Sequence, residues 1–299
     1  MAEEGFFKQV NAVLPTVTNV NNVSICCGAY PDQHAITGNS YFNEQTGEAD
    51  YMESAAFLRA PTVIQRAAER GIASTLLTCK KKTLNLLATR PDLGMLYVHT
   101  TDYPMHAWAP GEAESREHLS ILDGLLGQAV SAAPDAAFLL TADHGMNYKT
   151  RCWDLEKACA ARGVPLRFAL SAEKDRYVRH HRTFGGTAWV WLHGQKDAER
   201  AAATISDLGG VEQVLSRGEA AVRFHLMPER IGELMVLGDR DTVFGELPTP
   251  REQLDARYRS HGSLHEQAVP LVIYYHPGDV PPTWTIAANL DLTRTLYRD

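Results

Sequence analysis

Residues 137–145 read AFLLTADHG. The opening run, Ala137 to Leu140, suits a short buried strand. The chain then sets an acid and an imidazole side by side, Asp143 and His144, and turns on Gly145. Charge is costly to bury unless something holds it. A strand made for the interior that ends in two such groups therefore points to a site at that end of a sheet.

The same pattern recurs on both sides of this stretch. Upstream, GMLYVHT (94–100) reads as a second apolar strand, and Asp102 and His106 follow it. Pro104 lies between them, which predicts a loop rather than a helix. Further upstream, PTVIQRAAERGIASTLL (61–77) reads as a helix with Pro61 in its first turn and Gly71 past its end, followed by the strand IASTLLT (72–78). Between the second strand and AFLLTA, residues 112–133 carry Leu119, Leu122, Leu125, Leu126 and Val130 at helical spacing. Strands joined by such long crossovers predict an α/β fold with a mostly parallel core sheet covered by helices. Ligand sites in such sheets lie beyond the carboxyl ends of the strands. Downstream, SHG (260–262) precedes a further buried strand, VPLVIYY (269–275), and near the start PTVTNVNN (15–22) opens a polar turn at Thr18.

The middle of the chain changes character. WVWLHG (189–194), a helix over 197–208, a strand over 211–215, a short helix over 218–225 and GELMVLGD (232–239) predict a compact α+β unit. This divides the chain into a core, 1–150 and 255–299, and an inserted α+β cap, 151–254. Trp189 and Trp191 alternate along a strand, as core and rim of the insertion. His180 and His181 read as surface or packing residues, and His265 as a neighbour of the better-placed His261.

Composition bounds the partners. The chain has 299 residues, 44% of them hydrophobic, with 29 Lys and Arg against 36 Asp and Glu, a net charge of −7. That balance supplies no general basic field for nucleic acid. No apolar run approaches the roughly 20 residues that span a membrane. The start, MAEEGFFKQV, has no signal-peptide core. Five cysteines (Cys26, Cys27, Cys79, Cys152, Cys159) follow no CxxC or disulfide pattern, which fits reduced thiols in a cytoplasmic protein. A homodimer is compatible with the sequence.

The stretches PTVTNVNNVSICCGAYPDQHAITGN (15–39), LRAPTV (58–63), TCKKKTLNLL (78–87), YVHTTDYPMH (97–106), LLTADHGM (139–146) and RSHGSLHEQAVPLVIY (259–274) resemble the alkaline phosphatase superfamily. Within it they are similar to the nucleotide pyrophosphatase/phosphodiesterase group, and most of all to the phosphonoacetate hydrolases. The resemblance implies an alkaline-phosphatase-like core and a site for two Zn2+ ions. By position, Asp102, His106 and His261 would hold one ion, and Asp143, His144 and the Thr18 hydroxyl the other. Thr18 would be the nucleophile, or would position one; coordination lowers the pKa of a hydroxyl. Asn39 would donate a hydrogen bond to a phosphoryl oxygen.

An isolated lysine run reads as a solvated turn. Behind a strand, at the end that carries the other motifs, Lys80 and Lys82 match the pair that grips the substrate carboxylate in that family, while Lys81 points elsewhere. The implied reaction is hydrolysis of the C–P bond of phosphonoacetate, a small phosphonate, to acetate and phosphate. Phosphodiester or nucleotide pyrophosphate hydrolysis is the alternative.

One departure stands out. The family pattern begins with a strand ending in Asp-Gly whose aspartate binds the threonine-side ion. Here MAEEGFFKQVNAVL precedes Pro15, with Glu3 and Glu4 as its acids. The expectations are an incomplete, weaker threonine-side zinc site and a core sheet short of a strand. An impaired homologue that binds metal without turnover is a further alternative.

Overall fold

The computed structural model describes residues 5–78, 95–100, 102–176, 182–274, 286–294 and 296–297. Glu3, Glu4, Cys79, Lys80, Lys82, His180 and His181 lie outside the described residues. The elements form a mixed α/β protein. Among the described residues no helix is long and apolar enough to cross a membrane.

Parallel pairing accounts for only part of the core. Ser74–Thr78 and Met95–His99 run parallel and in step, from Ser74 opposite Met95 to Thr78 opposite His99. The strand predicted at 269–275 forms over Ala268–Tyr274, but it runs antiparallel to Phe138–Thr141, with Leu271 opposite Thr141 and Tyr274 opposite Phe138. The register explains the difference. Ala268–Tyr274 begins beside the end of Phe138–Thr141 that leads to Asp143. The chain re-enters the core at that end, with no crossover to carry it to the other, so the strands must oppose each other. The far edge of Ala268–Tyr274 pairs antiparallel with Phe6–Asn11, a strand not predicted from the sequence. Among the described residues, Phe138–Thr141 has a neighbouring strand on one side only.

Two helices also differ in detail. The first-turn role expected of Pro61 falls instead to a capping box. Thr62 accepts from the Gln65 N–H at 3.1 Å, and the Gln65 side chain accepts from the Thr62 N–H at 2.8 Å, so the helix runs Val63–Glu69. Buried Arg66 donates to the carbonyls of Cys27, Pro61, Thr293 and Leu296, which ties this helix to two other segments. The helix predicted over 112–133 forms over Ala113–Ala132, but among the described residues its apolar stripe is only partly covered: Leu119 and Leu125 are 49% and 54% exposed, while Leu122, Leu126 and Val130 are half-buried.

Residues 151–254 hold a four-stranded antiparallel sheet in the order Val211–Ser216, Leu234–Gly238, Thr187–Trp191, Phe168–Ser171. The helices Ala198–Ser206 and Arg217–Phe224 accompany it. Arg151–Trp153 pairs with Arg251–Gln253, which brings the first and last residues of this segment together. Trp189 and Trp191 are both buried, so neither lies at a rim. Alternation along the strand gives the reason. Trp189 and Trp191 share a face with Leu170 and Ala172 and meet Val13, Leu14, Val17 and Val20. Ala188, Val190 and Leu192 face the other way, onto Ala201, Ile205 and Leu208. This strand is therefore buried on both sides, once against the Thr18 segment and once against its own helices.

Candidate metal centre

Thr18 opens the helix Thr18–Cys27, whose ten residues are all buried. The turn before it is held by Asn21, which accepts the Val13 N–H at 2.7 Å and donates to the Val13 carbonyl at 2.9 Å. Unpaired backbone N–H groups at a helix start favour negative charge nearby. Asn22, one turn on, donates to the Thr18 carbonyl at 2.9 Å and to Asp143 Oδ2 at 3.0 Å.

Asp143 and His144 follow Phe138–Thr141 as the sequence predicts. Gly145 serves close approach rather than a left-handed turn. Its N–H donates to the Glu266 carbonyl at 2.7 Å, and a Cβ there would lie 3.2 Å from the same oxygen. Asp102 and His106 sit on a short helix, Tyr103–Ala107, not the predicted loop. Pro104 falls in the first turn, where its missing N–H would have had no helical partner anyway. Asp102 stands at the N-terminal boundary of the helix and His106 one turn later, so Asp102 Oδ2 lies 3.3 Å from His106 Nε2.

His261 follows Arg259–Ser260. Gly262 takes φ +108°, and a Cβ on it would lie 2.8 Å from the Gly186 nitrogen. Only glycine tolerates both the angle and the approach. The Gly186 N–H donates to the His261 carbonyl at 2.9 Å, so the segment 151–254 touches this loop directly.

These segments converge. One ligand atom each from Asp102, His144 and His261 all lie within 4.8 Å of one another. Thr18 Oγ lies 3.3 Å and Asp143 Oδ2 3.6 Å from His144 Nε2. The His144 and His261 rings stack with centroids 3.6 Å apart. Lys80 and Lys82 are outside the described residues; the other sequence-predicted site residues are brought together.

The donor set fits a metal ion. Each imidazole binds a backbone carbonyl through Nδ1: His106 to Arg259 at 3.1 Å, His144 to Gly145 at 3.0 Å, His261 to Thr16 at 2.8 Å. A carbonyl only accepts, so the proton sits on Nδ1 and the Nε2 lone pair turns inward, as in histidines that bind metals. His261 Nε2 is buried with no hydrogen-bond partner. Burial pushes the His261 pKa well below the ordinary histidine value, helped by His144 and His106 and opposed by Asp102. The ring is thus kept neutral and ready to donate. Two atoms about 2.1 Å from one tetrahedral ion lie about 3.4 Å apart. The separations of 3.3, 3.6 and 3.3 Å for Asp102–His106, Asp143–His144 and Thr18–His144 match that spacing.

Asn39 is buried nearby, but its amide faces another group. Nδ2 donates to Glu173 Oε2 at 3.1 Å and to the Glu173 carbonyl at 3.3 Å, and Oδ1 accepts the Asn19 N–H at 3.4 Å. Glu173 Oε1 lies 3.8 Å from His261 Nε2. Sequence reasoning missed this glutamate. It comes two residues after the strand Phe168–Ser171, which the sequence does not announce, so the strand-end rule had no strand there to follow. His265 turns away from the site to Glu212, at 2.7 Å.

Known proteins resemble the chain in sequence and fold. The family model described as type I phosphodiesterase/nucleotide pyrophosphatase matches residues 1–83 and 72–264. Phosphonoacetate hydrolase from Sinorhizobium meliloti 1021, solved with phosphonoacetate, is 26% identical, with a TM-score of 0.86 over 99% of this chain and 87% of that one. Its complex with phosphonoformate gives 27% identity and a TM-score of 0.85 over the same shares. Human ectonucleotide pyrophosphatase/phosphodiesterase 5 shares the fold, with a TM-score of 0.67 at 15% identity over 95% of this chain and 83% of that one.

Proposed function

Because this chain belongs to the type I phosphodiesterase/nucleotide pyrophosphatase family, a family of hydrolases, we propose that it cleaves the C–P bond of a small phosphonate, phosphonoacetate, at a site for two Zn2+ ions. The observation that carries this reading is the convergence of Asp102, His144 and His261 beside the Thr18 hydroxyl. Likeness to a phosphonoacetate hydrolase over nearly the whole chain supports the choice of substrate.

Asp102, His106 and His261 would hold one ion, and Thr18, Asp143 and His144 the other. Bound zinc would lower the pKa of the hydroxyl and offset charge on the phosphoryl oxygens. Thr18 Oγ attacks phosphorus as its proton passes to solvent water. The P–C bond breaks and its electron pair passes to the methylene carbon, spreading into the neighbouring carboxylate. That carbon takes a proton to give acetate, and water then releases phosphate from Thr18. The start of the helix Thr18–Cys27 favours the phosphoryl anion. Asn39 would meet a phosphoryl oxygen only by giving up a bond to Glu173. Lys80 and Lys82 would take the substrate carboxylate. Cys26, Cys152 and Cys159 are free and buried, which supports a cytoplasmic setting.

Phosphate release from phosphonoacetate in excess zinc, with Thr18→Ala as control, tests the proposal. Release that vanishes in the control is expected. No release from phosphonoacetate, with turnover of a phosphodiester such as bis(p-nitrophenyl) phosphate, would overturn it in favour of phosphodiesterase activity.

A further inference from the structure

Lys149 and Glu266 form an ion pair, Nζ to Oε1 at 2.8 Å, with both side chains wholly buried. An ion pair this deep is a poor source of stability, because the cost of leaving water rivals the attraction. What an apolar pair could not supply is a set of directed, charge-assisted bonds. Glu266 Oε1 accepts from Lys149 Nζ and from Asn147 Nδ2, each at 2.8 Å. Glu266 Oε2 accepts the Ser263 N–H at 2.9 Å and the Ser263 hydroxyl at 2.7 Å. The carboxylate is held below the usual glutamate range by Lys149 and these donors, despite its burial. Lys149 Nζ also donates to the Arg240 carbonyl at 2.8 Å, which anchors it to the segment 151–254.

Two loops meet on this one residue. Gly145, next to His144, donates its N–H to the Glu266 carbonyl at 2.7 Å. Ser263 lies two residues beyond His261, and its carbonyl accepts the Thr16 hydroxyl at 2.9 Å. The Thr16 carbonyl in turn accepts His261 Nδ1 at 2.8 Å. A bonded path thus runs from Lys149 through Glu266, Ser263 and Thr16 to His261, with a branch from Glu266 to the His144 loop.

We propose that Glu266, locked by Lys149, is a positioning residue that sets the separation of His144 and His261. The proposal rests on the metal reading above. Glutamine at this position cannot serve both sets of donors: its amide oxygen can meet Ser263 or Lys149, and its NH2 then opposes the other.

The test uses the full chain as wild type, Glu266→Gln, the double variant Lys149→Met/Glu266→Gln, and Ser263→Ala. The double variant leaves no unpaired buried charge, and Ser263→Ala leaves the ion pair intact. Zinc affinity is read by chelator competition and site geometry by the visible spectrum of bound Co2+, with a melting curve to establish folding. Each folded variant is expected to bind zinc more weakly, by about tenfold for the Glu266 variants, less for Ser263→Ala, and to show an altered Co2+ spectrum. Folded variants with wild-type zinc affinity and an unchanged spectrum, beside a zinc-binding wild type, would overturn the positioning role alone. A wild type that binds no zinc would overturn the metal reading and this proposal with it.

Discussion

Replacing Gly186 by alanine is expected to cost about 3 kcal/mol of stability and to weaken metal binding. Gly186 lies where the segment 151–254 meets the His261 loop. A methyl group there would sit 2.6 Å from Ser263 Cβ, 2.8 Å from Ser263 N and 3.1 Å from Ser263 Cα. Carbon atoms rest about 3.5–4.0 Å apart, so the loop must retreat by about 1 Å. That retreat strains the hydrogen bond from the Gly186 N–H to the His261 carbonyl, 2.9 Å in the native chain. Overpacking costs about 1–3 kcal/mol, and a weakened buried bond adds about 1 kcal/mol. The sum is large against a typical total of about 5–15 kcal/mol. A zinc–nitrogen distance tolerates only about 0.2 Å of error, so affinity should fall as well. Urea unfolding and zinc titration measure the two effects. Gly218, where a methyl group would meet nothing within 4 Å, is the control, and alanine there should be neutral or mildly stabilising. A Gly186→Ala loss below about 0.5 kcal/mol with unchanged zinc affinity would refute this account of the loop.

Acid should destabilise the chain through His34. Its Nδ1 accepts the Ile36 N–H at 3.1 Å, so Nε2 carries the proton and donates to Ser24 Oγ at 2.8 Å. Burial lowers its pKa from 6.5 to about 3. Above pH 6.5 the ring is neutral in both states; below it, the unfolded chain takes a proton that the folded chain refuses. Stability should therefore fall by about 1.4 kcal/mol per pH unit from this group, measured as urea midpoints between pH 7 and 5. A His34→Gln chain with the same pH dependence would contradict this. Removing metal with a chelator should lower the melting temperature, and zinc at about 100 times its Kd should restore about 2.7 kcal/mol; a melting curve indifferent to both would count against the site. Exchanging Lys80 and Lys82 together for alanine should raise the KM for phosphonoacetate at least tenfold and leave phosphodiester turnover nearly unchanged, and equal losses on both substrates would remove these lysines from carboxylate recognition.

Most of the candidate ligands were legible because they follow a strand or open a short polar turn, and polar groups at strand ends need a reason to be there. Asp143 and His144 needed only that rule, whereas His261 stands before a predicted strand and was assigned through the family resemblance. Asp102 and His106 were found by it too, although Pro104 misled the reading of their backbone, since proline is as acceptable in a first helical turn as in a loop. The direction of Ala268–Tyr274 was hidden, because apolar runs carry no sign of which end the chain enters. Glu266 and Lys149 were invisible for a different reason. The two partners lie 117 positions apart, and nothing in SLHEQ or NYKT marks a residue as buried and shared between loops. Glu173 sits in between: its strand was predicted by no motif, yet its place after that strand follows the rule that found Asp143.

The strand Thr187–Trp191, covered on both faces, bears on how this architecture can be cut and recombined. Its Trp189 face shields Val13, Leu14, Val17 and Val20, the apolar backing of the Thr18 turn. Ownership of that turn is therefore shared. A chimera that exchanged residues 151–254 for those of a relative would leave the threonine segment against a foreign surface. A deletion would bare it to water. To exchange residues 151–254, a designer would have to transplant residues 13–20 with them, so the segments that must travel together are discontinuous in sequence.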